Sequence, residues 1–151
     1  CRITKIIKWD LIYFCLSLKK EGVWVTLMMN NNKIFIVDDE PDLTMLFKLG
    51  LEDNGFEVDA FNDPHMALSA FKKKPSYDLA LIDIRMPEMN GFELYNEMKK
   101  IDDQVKVCFI TAFDVQQSDM EARSSDKKSV NIIRKPIAIE EMVQEIKNQL
   151  S

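Results

Sequence analysis

The sequence predicts an α/β fold, a doubly wound parallel sheet of five strands with helices on both faces. Three observations predict it. From Lys33 onward, short apolar runs of strand character alternate with amphipathic stretches, the pattern of successive βα units. The first run, Lys33-Ile-Phe-Ile-Val37, is apolar without alternation, as strands covered on both faces are. A chain of 151 residues suits one domain whose core closes without metal or disulfide support.

The elements follow in order. After the first strand, Pro41 opens a helix, since proline suits the first turn, and Leu43, Leu46, Phe47, Leu49 and Leu51 supply its helical spacing up to Asn54-Gly55. Residues 56–61 form a second strand. Asp63-Pro64 opens the next helix, with Met66, Leu68, Ala70 and Phe71 inward, and Lys72-Lys73-Lys74-Pro75 ends it, cations being favoured at a helix C-terminus. Residues 77–82 give a third strand, Met86-Pro87-Glu88-Met89-Asn90-Gly91 a loop and residues 92–100 a helix. Residues 105–110 give a fourth strand, 116–123 a short helix and 130–134 a fifth strand. Residues 139–150 give a closing helix with Ile139, Met142, Val143, Ile146 and Leu150 inward. Right-handed crossovers build the sheet and place ligands outside the carboxyl ends of its strands.

Residues 1–30 stand apart as an N-terminal extension, and residues 31–151 make the domain. The texture changes at Met28-Met29-Asn30, a natural start, and residues 1–27 are read as non-native: upstream translated sequence or a cloning artefact. The apolar run at 11–18 is only eight residues long, too short to cross a membrane, and Lys19-Lys20-Glu21 follows where a signal peptide would need small residues. Cys1, Cys15 and Cys108 are far apart, with no C-x-x-C pair and only His65 to join them. That supports neither a disulfide framework nor a zinc site, and reduced thiols in the cytoplasm are expected. A net charge of -5 and a pI near 5.0 argue against direct nucleic-acid binding, which uses a basic face.

Four strand ends carry polar groups that strand packing does not require: Asp38-Asp39-Glu40, Asp83, Thr111 and Lys135-Pro136. Singly, each has a plain reading. An aspartate after a strand often caps the next helix, a threonine makes a turn, and a lysine is solvated. With the first and third strands adjacent, they converge on one edge of the sheet. Clustered carboxylates repel unless a cation lies among them. Magnesium fits, because it takes oxygen ligands, keeps waters and works with one or two carboxylates plus a phosphoryl group.

Val37-Asp38-Asp39-Glu40, Asp83 with Met86-Pro87-x-Met-Asn-Gly91, Thr111-Ala112 and Lys135-Pro136 resemble the receiver domains of two-component response regulators. The match runs in order from about Lys33 to Ser151. The resemblance implies a flavodoxin-like sheet of order 2-1-3-4-5 and a phospho-acceptor, Asp83, that takes its phosphoryl group from a histidine kinase or phosphotransfer protein. It implies magnesium held by Asp39 and Asp83 directly, by Asp38 through water, and by the backbone carbonyl of Arg85. Lys135 would supply a second positive charge, and the Thr111 hydroxyl would bind a phosphoryl oxygen. A cis Lys135-Pro136 bond is implied as well. So is a cytoplasmic signalling domain that is not an enzyme in its own right, acts on a downstream effector in trans, and is a monomer or a phosphorylation-dependent homodimer.

Two departures stand out. Family members usually carry an aromatic residue three positions before the lysine, where this chain has Ile132. The stretch from Thr111 to Lys135 is also long and charged, with Ser124-Ser-Asp-Lys-Lys-Ser129. Arg85 and Phe113 each lie two positions after a site residue, on the route of attacking water in this family, and a bulky Phe113 is expected to slow self-dephosphorylation. The main rival reading is an interaction module of the same fold without phosphorylation. An aspartyl phosphatase would want a carboxylate where Arg85 stands, and a flavodoxin-type phosphate loop would not read Asp-Asp-Glu-Pro.

Overall fold

The computed structural model describes residues 32–113 and 131–151. The N-terminal extension, the short helix expected at 116–123 and the charged stretch before the last strand lie outside the described residues. The elements are β1 (Lys33–Val37), α1 (Pro41–Asp53), β2 (Glu57–Phe61), α2 (Pro64–Lys73), β3 (Leu79–Asp83), α3 (Gly91–Ile101), β4 (Lys106–Thr111), β5 (Asn131–Arg134) and α4 (Ile139–Leu150). All strand pairs are parallel, in the order β2-β1-β3-β4-β5. The order reverses between β1 and β3, so the turns leaving these strands diverge and open a crevice at their carboxyl ends.

Strand residues alternate between two apolar layers because successive side chains point to opposite faces. Phe35, Val37, Ala80, Ile82 and Phe109 pack with Phe71 of α2 and Leu94 and Met98 of α3. Ile34, Ile36, Leu79, Leu81 and Ile110 pack on the other side with Phe47 and Leu51 of α1 and Met142 and Ile146 of α4. Each fully buried side chain of this size contributes about 1.5–3 kcal/mol, so the central strands anchor the crevice firmly. Among the described residues, no helix is long and apolar enough to cross a membrane.

The helices bury narrower stripes than the sequence suggests. Leu46 and Leu49, expected inward on α1, are each 53% exposed. Thr44, Phe47 and Leu51 form the buried stripe. Leu49 lies two residues from Phe47, roughly 200° round the helix, and so faces away from the sheet. On α2, Met66 is 67% exposed because Pro64, Ala67, Leu68 and Phe71 take the inner face. Ile139, Met142, Val143, Ile146 and Leu150 of α4 face inward as expected, fully or in part. Strand ends also shift by a residue: Asp83 and Thr111 are the last residues of β3 and β4, with their backbones inside the ladder.

Helix α3 starts against the backbone of Asp83. Asn90 is its N-cap; its side chain accepts from Phe92 N and Glu93 N at 3.0 Å each, and Glu93 accepts from Asn90 N at 2.9 Å. This reciprocal capping box fixes the first turn. Gly91 N donates to Ile84 O at 2.9 Å. A Cβ on Gly91 would overlap the Asp83 carbonyl oxygen and sit 3.0 Å from Ile84 Cα, a clash with backbone that no rotamer relieves. Gly91→Ala is therefore expected to destabilise the fold by about 1–3 kcal/mol, the range for overpacking. An unchanged denaturant midpoint would refute that close contact.

Candidate functional site

The crevice is lined by the turns after β1, β3, β4 and β5. Asp38 leaves β1 fully buried. It does not cap α1, whose N-cap is Glu40 without a side-chain bond; instead Asp38 Oδ1 accepts from Glu40 N at 2.9 Å. Its backbone carbonyl accepts from Thr44 Oγ1 at 3.0 Å and Asn62 Nδ2 at 2.8 Å. Asn62 also donates to Thr44 Oγ1 at 2.8 Å. The acidic turn is thus braced by α1 and by the residue following β2.

Asp83 ends β3 with one carboxylate oxygen on each side of a clamp. Oδ1 accepts from Arg85 N at 3.1 Å, and Oδ2 accepts from Lys135 Nζ at 3.0 Å. Burial pushes its carboxyl above the ordinary value, and the neighbouring Asp38 charge adds to that; Lys135 and Arg85 N–H oppose it in part. Lys135 sits 2.6 Å from Asp38 Oδ2 and 3.1 Å from Glu40 Oε1, with its side chain only 9% exposed. Burial works against its charge, but the ion pair with Asp38 and the hydrogen bonds to Asp83 and Glu40 outweigh burial and hold the ammonium above its ordinary value. The solvated lysine of the plain reading is excluded.

Thr111 is buried at the end of β4, where its Oγ1 accepts from Phe113 N at 3.1 Å and its carbonyl accepts from Lys135 N at 2.8 Å. The latter bond carries β5 past its last ladder residue and sets Lys135 in place, followed by a cis Lys135-Pro136 bond. Ile132 packs against the layer containing Phe109. The guanidinium of Arg85 lies over the Phe113 ring, 3.5 Å from its centroid, so Phe113 is not a core aromatic but a 46% exposed one beside the crevice.

The residues read from sequence therefore assemble around one crevice. Sequence reasoning missed Glu40 as a partner of Lys135, and Thr44 and Asn62 as braces. Only Glu40 carried a signal, standing in the acidic run singled out after the first strand.

Asp38, Asp39 and Asp83 each offer a carboxylate oxygen, all within 4.8 Å of one another. Asp38 Oδ2 is buried and makes no aligned hydrogen bond, despite its closeness to the Lys135 ammonium. The Lys135 ammonium pairs with Asp38 and Asp83 of these three, and an oxygen-only donor set of clustered carboxylates fits a hard divalent cation.

A five-stranded parallel sheet with a clamped aspartate at its switch point defines a class of α/β signalling domains, and comparison names the family. The model of the response regulator receiver domain matches residues 34–147. The chain is 32% identical to the chemotaxis protein CheY of Bacillus subtilis over 120 residues, covering 80% of this chain and 98% of that one. It is 30% identical over 118 residues to the response regulator receiver protein CpdR of Brucella abortus, covering 78% and 96%. Among solved structures, the response regulator TrrA of Thermotoga maritima in complex with Mg(2+)-BeF superposes with a TM-score of 0.67 at 29% identity, covering 79% of this chain and 99% of that one. The chain belongs to the response regulator receiver domain family of two-component signalling.

The raised carboxyl of Asp83 makes ion binding readable as stability. The folded chain takes up a proton at Asp83 more readily than the unfolded chain. Its contribution is therefore full below the ordinary carboxylate value, about 4, and is lost as pH rises through the folded value. Magnesium is expected to restore it: melting temperature should rise on adding the ion at neutral pH, equivalent to about 2.7 kcal/mol at a hundred times Kd. The gain should shrink toward the ordinary carboxylate range. Thermal melts of Asp83→Asn showing the same gain as the parent would exclude Asp83 from the ion site.

Proposed function

We propose that residues 31–151 form a phospho-acceptor switch in which Asp83 takes a phosphoryl group from a histidine kinase or phosphotransfer protein. The observation that carries this reading is the clamp on Asp83: Arg85 N–H holds one carboxylate oxygen and the Lys135 ammonium the other. A carboxylate held at both oxygens is oriented without a conformational search. A carboxylate oxygen of Asp83 attacks phosphorus, the P–N bond of phosphohistidine breaks, and its electron pair returns to the imidazole, leaving an acyl phosphate. Asp39 and Asp83 would hold a magnesium ion directly, with Asp38 through water and the Arg85 carbonyl as the fourth protein group. When bound, the ion neutralises charge on the phosphoryl oxygens. Lys135 adds a second cation, and the Thr111 hydroxyl donates to a phosphoryl oxygen. The domain catalyses its own phosphorylation and dephosphorylation, acts in the cytoplasm without nucleic acid or membrane, and signals to an effector in trans as a monomer or phosphorylated homodimer.

Two further facts support a kinase partner. Met45, Leu46 and Leu49 leave an exposed apolar stripe on α1, the helix that begins at the acidic turn. TrrA, 30% identical to this chain, has been solved in complex with the histidine kinase ThkA. Incubation with acetyl phosphate and magnesium is expected to add the mass of one phosphoryl group to the parent and none to Asp83→Asn. No gain in the parent would favour the rival reading, an interaction module without phosphorylation.

Phe113 stands over the crevice with Arg85 and keeps water from the acyl phosphate. Phe113→Ala is expected to lose its phosphoryl group several-fold faster than the parent in a time course of intact mass. A lifetime equal to the parent's would remove Phe113 from that role.

A further inference from the structure

The turns that leave β3 and β4 are built alike. After β3, Arg85 N–H donates to Asp83 Oδ1 at 3.1 Å; after β4, Phe113 N–H donates to Thr111 Oγ1 at 3.1 Å. In both, the residue two places beyond the strand end holds the strand's last polar side chain through its own backbone. The strands run side by side, with Asp83 opposite Ile110, and Ile84 N donates to Ile110 O at 3.2 Å. Past that bond, no backbone hydrogen bond among the described residues joins the two turns.

Side chains make the connection instead. The Arg85 guanidinium carbon lies 3.5 Å from the Phe113 ring centroid, a face contact that suits a planar, weakly hydrated cation on an aromatic ring. Core packing does not explain it, because Phe113 belongs to neither apolar layer and is 46% exposed. The stack closes a loop of contacts: Asp83 carboxylate, Arg85 N–H, Arg85 side chain, Phe113 ring, Phe113 N–H, Thr111 hydroxyl.

We propose that Arg85 and Phe113 form a clip that sets the spacing between the Asp83 carboxylate and the Thr111 hydroxyl. Both are positioning residues, and the inference rests on reading Asp83 as the phospho-acceptor. If the stack opens, the two turns separate beyond their last backbone bond, and each N–H carries its own polar side chain with it. The phosphoryl group then meets a carboxylate and a hydroxyl that no longer converge. Thr111 takes no part in holding magnesium, so the loss of convergence is read on the phosphoryl group and not on the ion.

The test uses the full chain with fluoroberyllate and magnesium as the phosphoryl mimic, binding being followed by fluorine NMR. Arg85→Gln and Phe113→Leu are each expected to weaken fluoroberyllate binding about two- to five-fold, the range an exposed cation–π contact supports. The double variant should be no weaker than the weaker single. Phe113→Trp should keep the parent's affinity, and fluoroberyllate binding is compared at magnesium concentrations that saturate each variant, as fixed by its own magnesium titration. The Arg85 side-chain resonances, displaced by the ring in the parent, should return to ordinary positions in Phe113→Leu. Unchanged affinity in the single variants, additive losses in the double variant, or Phe113→Trp as weak as Phe113→Leu would each overturn the clip. A parent that binds no fluoroberyllate overturns the phospho-acceptor reading itself, and the clip with it.

Discussion

One buried ammonium organises this domain. Lys135 bonds Asp83 and lies within ion-pair distance of Asp38 and Glu40, joining the exits of β1, β3 and β5 into one charged knot. Without it, Asp38 and Asp83 would face each other in a crevice where burial already disfavours the ionised form of Asp83. Breaking such a pair by removing one partner is costly because the remaining charge stays buried and uncompensated. The knot therefore stabilises the fold by avoiding that cost more than by adding attraction. It also opposes the upward push that burial puts on the Asp83 carboxyl.

The surrounding architecture keeps the knot in place. The bond from Lys135 N to Thr111 O continues β5 beyond its strand, and Thr44 and Asn62 hold the carbonyl of Asp38. Asp83 is pinned from behind as well, since α3 begins at a glycine whose missing side chain lets the helix sit on the Asp83 carbonyl. Backbone position is thus determined by strand and helix, and the side chains need only choose rotamers.

Much of this is legible in the sequence. Unbroken apolar runs such as Lys33–Val37 announce strands covered on both faces, and polar residues directly after them announce the crevice. The helix faces were less legible. Leu46, Leu49 and Met66 looked inward by type, but a helix lying on a sheet has room for one stripe, and Thr44, Phe47 and Leu51 take it on α1. Contacts that depend on how two turns meet left no trace in the pattern: Glu40 on Lys135, Asn62 on Asp38, and Arg85 on Phe113. Residue type signals a partner only when the partner's place is set by the same local segment.

The knot spans long stretches of chain: Lys135 lies 95 positions from Glu40 and 52 from Asp83. Loops of that size close slowly, and their contacts form late because chain entropy must be overcome first. In chain order, β1 and β3 both precede Lys135, which follows the last strand. A chain that lacks the fifth strand therefore displays its aspartates without the ammonium that pairs with Asp38 and Asp83. The position of Lys135 directly after β5 makes completion of the charged knot coincide with completion of the sheet.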